Sequence, residues 1–232
     1  MSYYPLLLNL SAVKILLAGA GEVGRRKAVD ILACAPAELL WVDPEVSFAE
    51  LLENMELSGL PGLKYEQRPV QPEDVEGKSL VFAATGSREV NRMLADVSAG
   101  RGIFCNVVDA PAEGTFFVPA HFSQGDILFA LSTGGLSPAL SRRLREELQE
   151  WLGEKYTPLL TVMGRIRPLV LGLEAVEGME KNDNVDIFRN LVNSNLAAAL
   201  ANRDLVRARA LLIQYLPLPL HSCIGDILYE PF

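Results

Sequence analysis

The segment Gly19-Ala20-Gly21-Glu22-Val23-Gly24 has the G-x-G-x-x-G spacing with which a backbone turn can hold a diphosphate. The first glycine permits a tight turn, the second lets the diphosphate approach the backbone, and the third lets a helix pack on a strand. Glu22 and Val23 are counted with the glycines as cofactor contacts. Asp43 follows 19 residues after Gly24, next to Pro44. A carboxylate there can accept hydrogen bonds from a ribose diol and repels a 2′-phosphate, which predicts NAD in preference to NADP. The bland alternative is that the glycines only make a turn. Arg25 and Arg26 would weaken the NAD preference if they faced the ribose, and a solvated helix face is the expectation for both. A second carboxylate, Asp109, precedes Ala110-Pro111 at the end of another apolar run. There it can serve as a general base in a crevice at a strand end, or merely cap the turn before the proline.

These residues need elements to position them. Val13 to Ala18 is a short apolar run that stops at Gly19 and predicts a buried parallel strand. Val23, Lys27, Ala28, Ile31 and Leu32 recur near helical spacing up to Ala35-Pro36, where proline disfavours continuation. Leu39 to Val42 predicts the second strand, Leu63 to Gln67 a weaker one, Ser79 to Ala84 a strong one, Arg88 to Ala99 an amphipathic helix and Ile103 to Val108 a further strand. Alternating strands and helices imply a doubly wound α/β fold with a parallel Rossmann-type sheet. Thr115 to Val118 and Asp126 to Ser132 are expected to form a small separate sheet. Pro138 opens a helix with Ser137 as N-cap. From there to about Leu216 the pattern is helical, with breaks over Gly153 to Pro158 and Gly178 to Asn184, and an irregular tail is expected from Pro217.

Composition narrows the function class. A net charge of −8 argues against a nucleic-acid partner, which requires a basic face. The three cysteines, Cys34, Cys105 and Cys223, are scattered without CxxC spacing and predict neither a disulfide framework nor a zinc site. His121 and His221 are isolated and read as ordinary histidines, so no resident metal is expected. Apolar runs are too short for a membrane span, and Asn9, Ser11 and Lys14 interrupt the apolar opening segment. The expectation is a soluble, cytoplasmic protein without an export signal.

Four segments together resemble the precorrin-2 dehydrogenase/sirohydrochlorin ferrochelatase family of sirohaem synthesis. They are Gly19 to Ala28, Ala83-Ala84-Thr85 with Val90-Asn91, Phe104 to Pro111, and Ser132 to Pro138, in the family's order. Gly24 stands where many relatives have alanine. The resemblance implies an NAD-binding Rossmann domain over residues 1–112, a dimerisation segment over 113–150 and a helical C-terminal domain over 151–232. It further implies a homodimer with the active site in a cleft between these parts. Thr85 joins the cofactor set on the same ground. The implied reaction is dehydrogenation of precorrin-2 to sirohydrochlorin with NAD, and some members then insert ferrous iron.

That chemistry needs a base for a pyrrolic proton, and the resemblance gives the role to Asp109. The substrate's carboxylates need donors, for which Arg142, Arg143, Arg145, Arg165 and Arg167 are candidates. Ser137 with the amides of its helix start offers a further anion site. The alternative for the arginines is a solvated face. Asn106 either orients substrate or satisfies backbone at its strand end. Ferrous or cobaltous ion enters only as a substrate. Two other readings compete: an NAD-sensing binding module without turnover, and a dehydrogenase for another small molecule.

Overall fold

A computed structural model describes residues 3–55, 61–177 and 181–229 of the chain. The chain folds as two units, Met1–Val118 and Pro119–Phe232.

The first unit is built on five parallel strands: β1 (Lys14–Ala18), β2 (Glu38–Val42), β3 (Leu63–Glu66), β4 (Leu80–Ala83) and β5 (Phe104–Val107). Their order in the sheet is β3-β2-β1-β4-β5. Three helices belong with them: α1 (Glu22–Ala33), α2 (Phe48–Asn54) and α3 (Arg88–Gly100). Successive strand residues face opposite sides, so one alternation fills two cores. Ile15, Leu17, Leu39, Trp41 and Phe82 pack with Ala28 and Ile31 of α1 and Leu51 of α2. Leu16, Ala18, Leu40, Val81 and Val107 pack with Leu94 and Ala95 of α3 on the other face. The doubly wound α/β fold read from the alternating pattern is therefore present, with the inner strands β1, β2 and β4 buried on both faces and the edge strand β3 exposing Lys64 and Glu66 on one face.

Local chemistry sets the ends. After α1, Ala35 adopts φ 47° and Pro36 follows, which stops the helix where the proline predicts it. Ser87 caps α3 by accepting a hydrogen bond from the Val90 amide at 3.4 Å. The chain from 115 to 118 is not a strand, contrary to expectation. Its backbone leans on β5 instead: the Thr115 amide donates to the Cys105 carbonyl at 2.8 Å, and Thr115 Oγ1 accepts from the Cys105 amide at 2.8 Å.

In the second unit the hairpin pairs β6 (Ala120–Gln124) with β7 (Ile127–Leu131), antiparallel, with the turn at Gly125 in the left-handed region, φ 56°. A separate small sheet thus exists, but its first strand lies after the predicted one. Phe122 and Phe129 stack across it at 5.1 Å. Next comes α4 (Pro138–Leu152), with Pro138 in its first turn and the Ser137 hydroxyl accepting from the Leu140 amide at 3.2 Å, as the sequence predicts.

The remaining helices are α5 (Thr157–Glu177), α6 (Lys181–Asn193), α7 (Leu196–Ala201), α8 (Leu205–Tyr215) and α9 (Ile224–Leu228). Val162, Ile166 and Val170 recur every four residues on α5 and meet Leu191, Leu196, Leu200 and Leu212 in one core. Of the break expected over 178–184, residues 178–180 lie outside the described residues, and α6 is already helical from Lys181. The tail is also more ordered than expected. A 3-10 helix, Leu218–Cys223, leads into α9, because Leu220, Ile224 and Ile227 have apolar surface to bury against the helical core. Among the described residues no helix is long and apolar enough to cross a membrane.

Candidate cofactor cleft and its carboxylates

At the carboxyl ends of β1, β2 and β4 lies a cleft of about 410 Å³, lined among others by Gly19, Gly21, Asp43, Pro44, Thr85 and Val90. The strand order reverses between β1 and β4, and open α/β sheets bind ligands at such switch points. Gly19 has φ 103°, and a Cβ there would stand 2.3 Å from the Ala84 carbonyl oxygen. A Cβ on Gly24 would stand 2.0 Å from the Gly19 carbonyl oxygen. The glycine at Gly24 is therefore needed for the contact between α1 and its turn, and an alanine there requires the turn to shift. Gly21 differs: a Cβ would meet nothing within 4 Å and would project into open space. No side chain caps α1 at this residue. Open space beside uncapped helix amides suits a diphosphate, and Glu22 and Val23 are the first two residues of that helix.

Three side chains hold the turn from behind. Trp41, fully buried on β2, donates Nε1–H to the Gly19 carbonyl at 2.8 Å. The Ala20 amide donates to Asp43 Oδ2 at 2.7 Å, and Arg25 Nε donates to the Ala20 carbonyl at 2.9 Å. Arg25 also pairs with Glu50 of α2 at 2.6 Å. It is therefore a brace for the glycine turn and not part of a solvated face, whereas Arg26 is exposed as expected.

Asp43 is only 9% exposed, and its Oδ1 accepts from the Glu45 and Val46 amides at 2.8 and 2.9 Å. A carboxylate with three amide donors anchors the loop as well as facing the cleft. Its charge, after burial, raises Tyr65 to about 12, so the phenol stays protonated and keeps donating to the Val46 carbonyl. Neither Trp41 nor Arg25 was legible as a site residue. Their only signal was position, Arg25 directly after Gly24 and Trp41 two residues before Asp43.

Beyond Thr85 the site continues through a buried amide. Asn91 of α3 is 1% exposed, and its Oδ1 accepts from the Thr85 amide at 3.1 Å and the Thr85 hydroxyl at 2.7 Å. Its Nδ2 donates to the Thr85 carbonyl at 3.1 Å and to Asp109 Oδ1 at 3.0 Å. Asp109 itself is exposed, just past β5. The structure thus brings Asp109 together with Thr85 of the cleft.

Asn106 does not join them as a side chain open to ligand. It is buried on β5 and donates to the Phe116 carbonyl at 3.0 Å, which is the backbone-satisfying alternative.

Ser137 and Arg142 belong to the second unit. Ser137 is bound into a turn in which Thr133 Oγ1 accepts from the Ser137 amide and contacts its carbonyl, both at 3.2 Å. Arg142 pairs with Glu146 at 3.1 Å and Arg143 with Glu147 at 2.7 Å, both on the exposed side of α4. Arg165 donates to the carbonyls of Ile227 and Tyr229, fastening α9 to α5, and Arg167 lies 5.7 Å from the Phe188 ring. These two arginines have structural work independent of any substrate. His121 Nδ1 lies 3.0 Å from the Pro119 carbonyl and His221 Nε2 3.0 Å from the Leu216 carbonyl. No group of three or more metal-ligating side chains occurs among the described residues. Cys105 is buried in the sheet, which raises its thiol above the usual range, while Cys34 is exposed.

Sheet order, glycine turn and cleft define an NAD(P)-binding α/β domain, and residues 6–120 match the family described as putative NAD(P)-binding. Siroheme synthase 3 of Aeromonas hydrophila is 34% identical over 214 residues, covering 91% of this chain and 43% of that protein. The siroheme synthase of Nitrosomonas europaea is 34% identical over 170 residues, 73% of this chain and 35% of that protein. The chain thus belongs to the NAD(P)-binding family found within siroheme synthases, and spans less than half the length of these relatives. Its fold is that of the precorrin-2 dehydrogenase SirC, with a TM-score of 0.73 at 24% identity, over 92% of this chain and 98% of that one.

Proposed function

We propose that the chain is an NAD-dependent dehydrogenase that converts precorrin-2 to sirohydrochlorin. The observation that carries this reading is the buried bridge from the cofactor cleft to a carboxylate: Thr85 lines the cleft, Asn91 binds Thr85, and Asn91 binds Asp109. Likeness to siroheme synthases over 91% of the chain supplies the substrate class.

NAD, when bound, supplies the hydride acceptor. The turn at Gly19 to Gly24 and the start of α1 hold its diphosphate, and Asp43 with Pro44 bounds the ribose end of the cleft. Acidic Asp43 and exposed Glu45 favour an unphosphorylated ribose, hence NAD over NADP. The tetrapyrrole loses one hydride and one pyrrolic proton, and Asp109 accepts the proton. Ser137 and Arg142 are the candidates in the second unit for the substrate's carboxylates; for Arg142 this requires exchanging its pairing with Glu146 for a substrate carboxylate.

The proposal extends to assembly and place. The chain works as a cytoplasmic homodimer, with the hairpin and all but the last two residues of α4 inside the dimerisation segment, residues 113–150, between a cofactor domain over 1–112 and a helical domain over 151–232. Insertion of ferrous or cobaltous ion into the product is a second step to be tested in the same vessel.

The test is anaerobic incubation of the full chain with precorrin-2 and NAD, following NADH and sirohydrochlorin absorbance before and after adding metal ion. NADH is expected to form in step with sirohydrochlorin. In Asp109→Ala turnover should fall by about 10²- to 10⁴-fold, with NAD binding by calorimetry unchanged. Binding of NAD without any NADH in the unaltered protein would favour a sensing module instead.

A further inference from the structure

Asn91 is one of the few buried polar side chains of the first unit, and all of its hydrogen-bonding capacity toward the protein is directed at two residues, Thr85 and Asp109. The orientation of its amide is fixed. The Thr85 backbone N–H is a donor under any assignment, so the group it meets must be the Asn91 oxygen, and the NH₂ must face Asp109. An NH₂ donor 3.0 Å from Asp109 Oδ1 takes one of that oxygen's two acceptor sites and lowers its basicity relative to Oδ2. Oδ2 receives no hydrogen bond from the described residues of the first unit.

The frame around this amide is stiff. Asn91 sits in the first turn of α3, which is capped by Ser87, and Ser87 also donates its amide to Thr85 Oγ1 at 3.2 Å. Asp109 lies just beyond β5, and the preceding residue is tied to β4 by the Val108 amide donating to the Ala83 carbonyl at 3.1 Å. Asp109 is nonetheless an exposed side chain at the start of a turn, and an aspartate there has several rotamers open to it. The Asn91 bond selects one of them. Thr85, at the other end of the same amide, is part of the cleft wall.

From this geometry we infer that Asn91 is a positioning residue: it fixes Asp109 through Oδ1, leaves Oδ2 as the oxygen that takes the substrate proton, and ties that orientation to the Thr85 wall of the cofactor cleft. This rests on the reading of Asp109 as general base. It adds a specific division of labour between the two carboxylate oxygens and a residue that touches neither proton nor hydride.

The variant that separates the two halves of the amide is Asn91→Asp. Its carboxylate, when ionised, can still accept from the Thr85 amide and hydroxyl but has no N–H to donate to Asp109 or to the Thr85 carbonyl, and it sets a second acid beside Asp109 in place of a neutral donor. In the full chain, kcat at saturating NAD and precorrin-2 is expected to fall by about 10- to 100-fold, the scale of a misplaced catalytic group. The NAD dissociation constant by calorimetry should change less than about threefold, because the Thr85 bonds and the glycine turn persist. In an Asp109→Ala background the same substitution should lower residual turnover by no more than about twofold, since the group it positions is already gone.

Asn91→Ser, which removes the bond to Asp109 without adding charge, is measured in parallel and decides the matter if the aspartate variant does not fold. Loss of NAD affinity in proportion to kcat, or a full additive loss in the double variant, would mean that Asn91 only supports the fold, and an unchanged kcat would overturn the inference outright. Retained turnover in Asp109→Ala alone would instead remove the base, a failure distinct from that of Asn91.

Discussion

The carboxyl edge of the sheet and the exposed face of α4 both carry polar residues that the sequence marks for ligand binding, yet they are held in opposite ways. At the sheet edge Asp43, Trp41, Arg25 and Asn91 aim at backbone atoms or at one another from mostly buried positions. On α4, Arg142 and Arg143 stand in solvent and pair with glutamates one helical turn on. Low dielectric and full pairing make the first arrangement stiff, whereas solvated ion pairs exchange partners at little cost. The cofactor end is thus organised before ligand arrives, while the α4 arginines are free to exchange Glu146 and Glu147 for another partner.

The largest expected effect lies where stiffness is greatest. Gly19→Ala would place a Cβ 2.3 Å from the Ala84 carbonyl in a residue with φ 103°. Relieving that clash must open the turn, so NAD affinity by calorimetry should drop by more than about tenfold, with about 1–3 kcal/mol of strain felt in stability. An unchanged affinity would mean that the turn is more pliant than its three side-chain braces imply.

A smaller effect is expected at the opposite end of the sheet. Hydrogen bonds from Lys64 and then Lys78 hold the Glu38 carboxyl down at about 2. A carboxyl depressed on folding contributes stability that is complete above its ordinary value near 4.5 and is lost as the pH falls toward about 2. Glu38→Gln should remove that acid-dependent part of the unfolding profile and cost about 1–3 kcal/mol at neutral pH, since Lys78 is left largely buried without its carboxylate. Urea titrations at pH 3 and pH 7 check both statements, while NAD affinity measured at neutral pH should not move.

The smallest change in stability is expected on α4. Arg142→Ala should alter unfolding free energy by no more than about 0.5 kcal/mol, as exposed i,i+4 pairs do. If Arg142 meets a substrate carboxylate, KM for the tetrapyrrole should nonetheless rise several-fold with kcat unchanged. An unaltered KM would leave the α4 arginines as a solvated face and sharpen the contrast with the sheet edge.

Legibility followed the same division. The glycine motif could be read because each glycine answers to a backbone constraint at a fixed offset, and strand runs could be read because parallel strands are apolar on both faces. Ser137 was legible as a cap because a serine before a proline satisfies helix amides locally. What could not be read was the partner of each polar group. Arg25 looks like any arginine on a helix, and only the approach of α2 and the folding back of the turn give it Glu50 and the Ala20 carbonyl. The hairpin was displaced from its expected place because residues 115–118 are as extended and apolar as a strand, but spend their polar groups on β5.

By itself the sequence determined the alternation of elements, the diphosphate-binding turn and the presence of carboxylates at two strand ends, because these depend on periodicity and on residues near in the chain. Only the tertiary structure decided that Asp43 is also a brace, that Asn106 serves the backbone, and that Asn91 joins Thr85 to Asp109. Those three outcomes depend on hydrogen bonds between elements far apart in sequence, whose donors and acceptors are paired by the packing of the sheet and not by spacing along it.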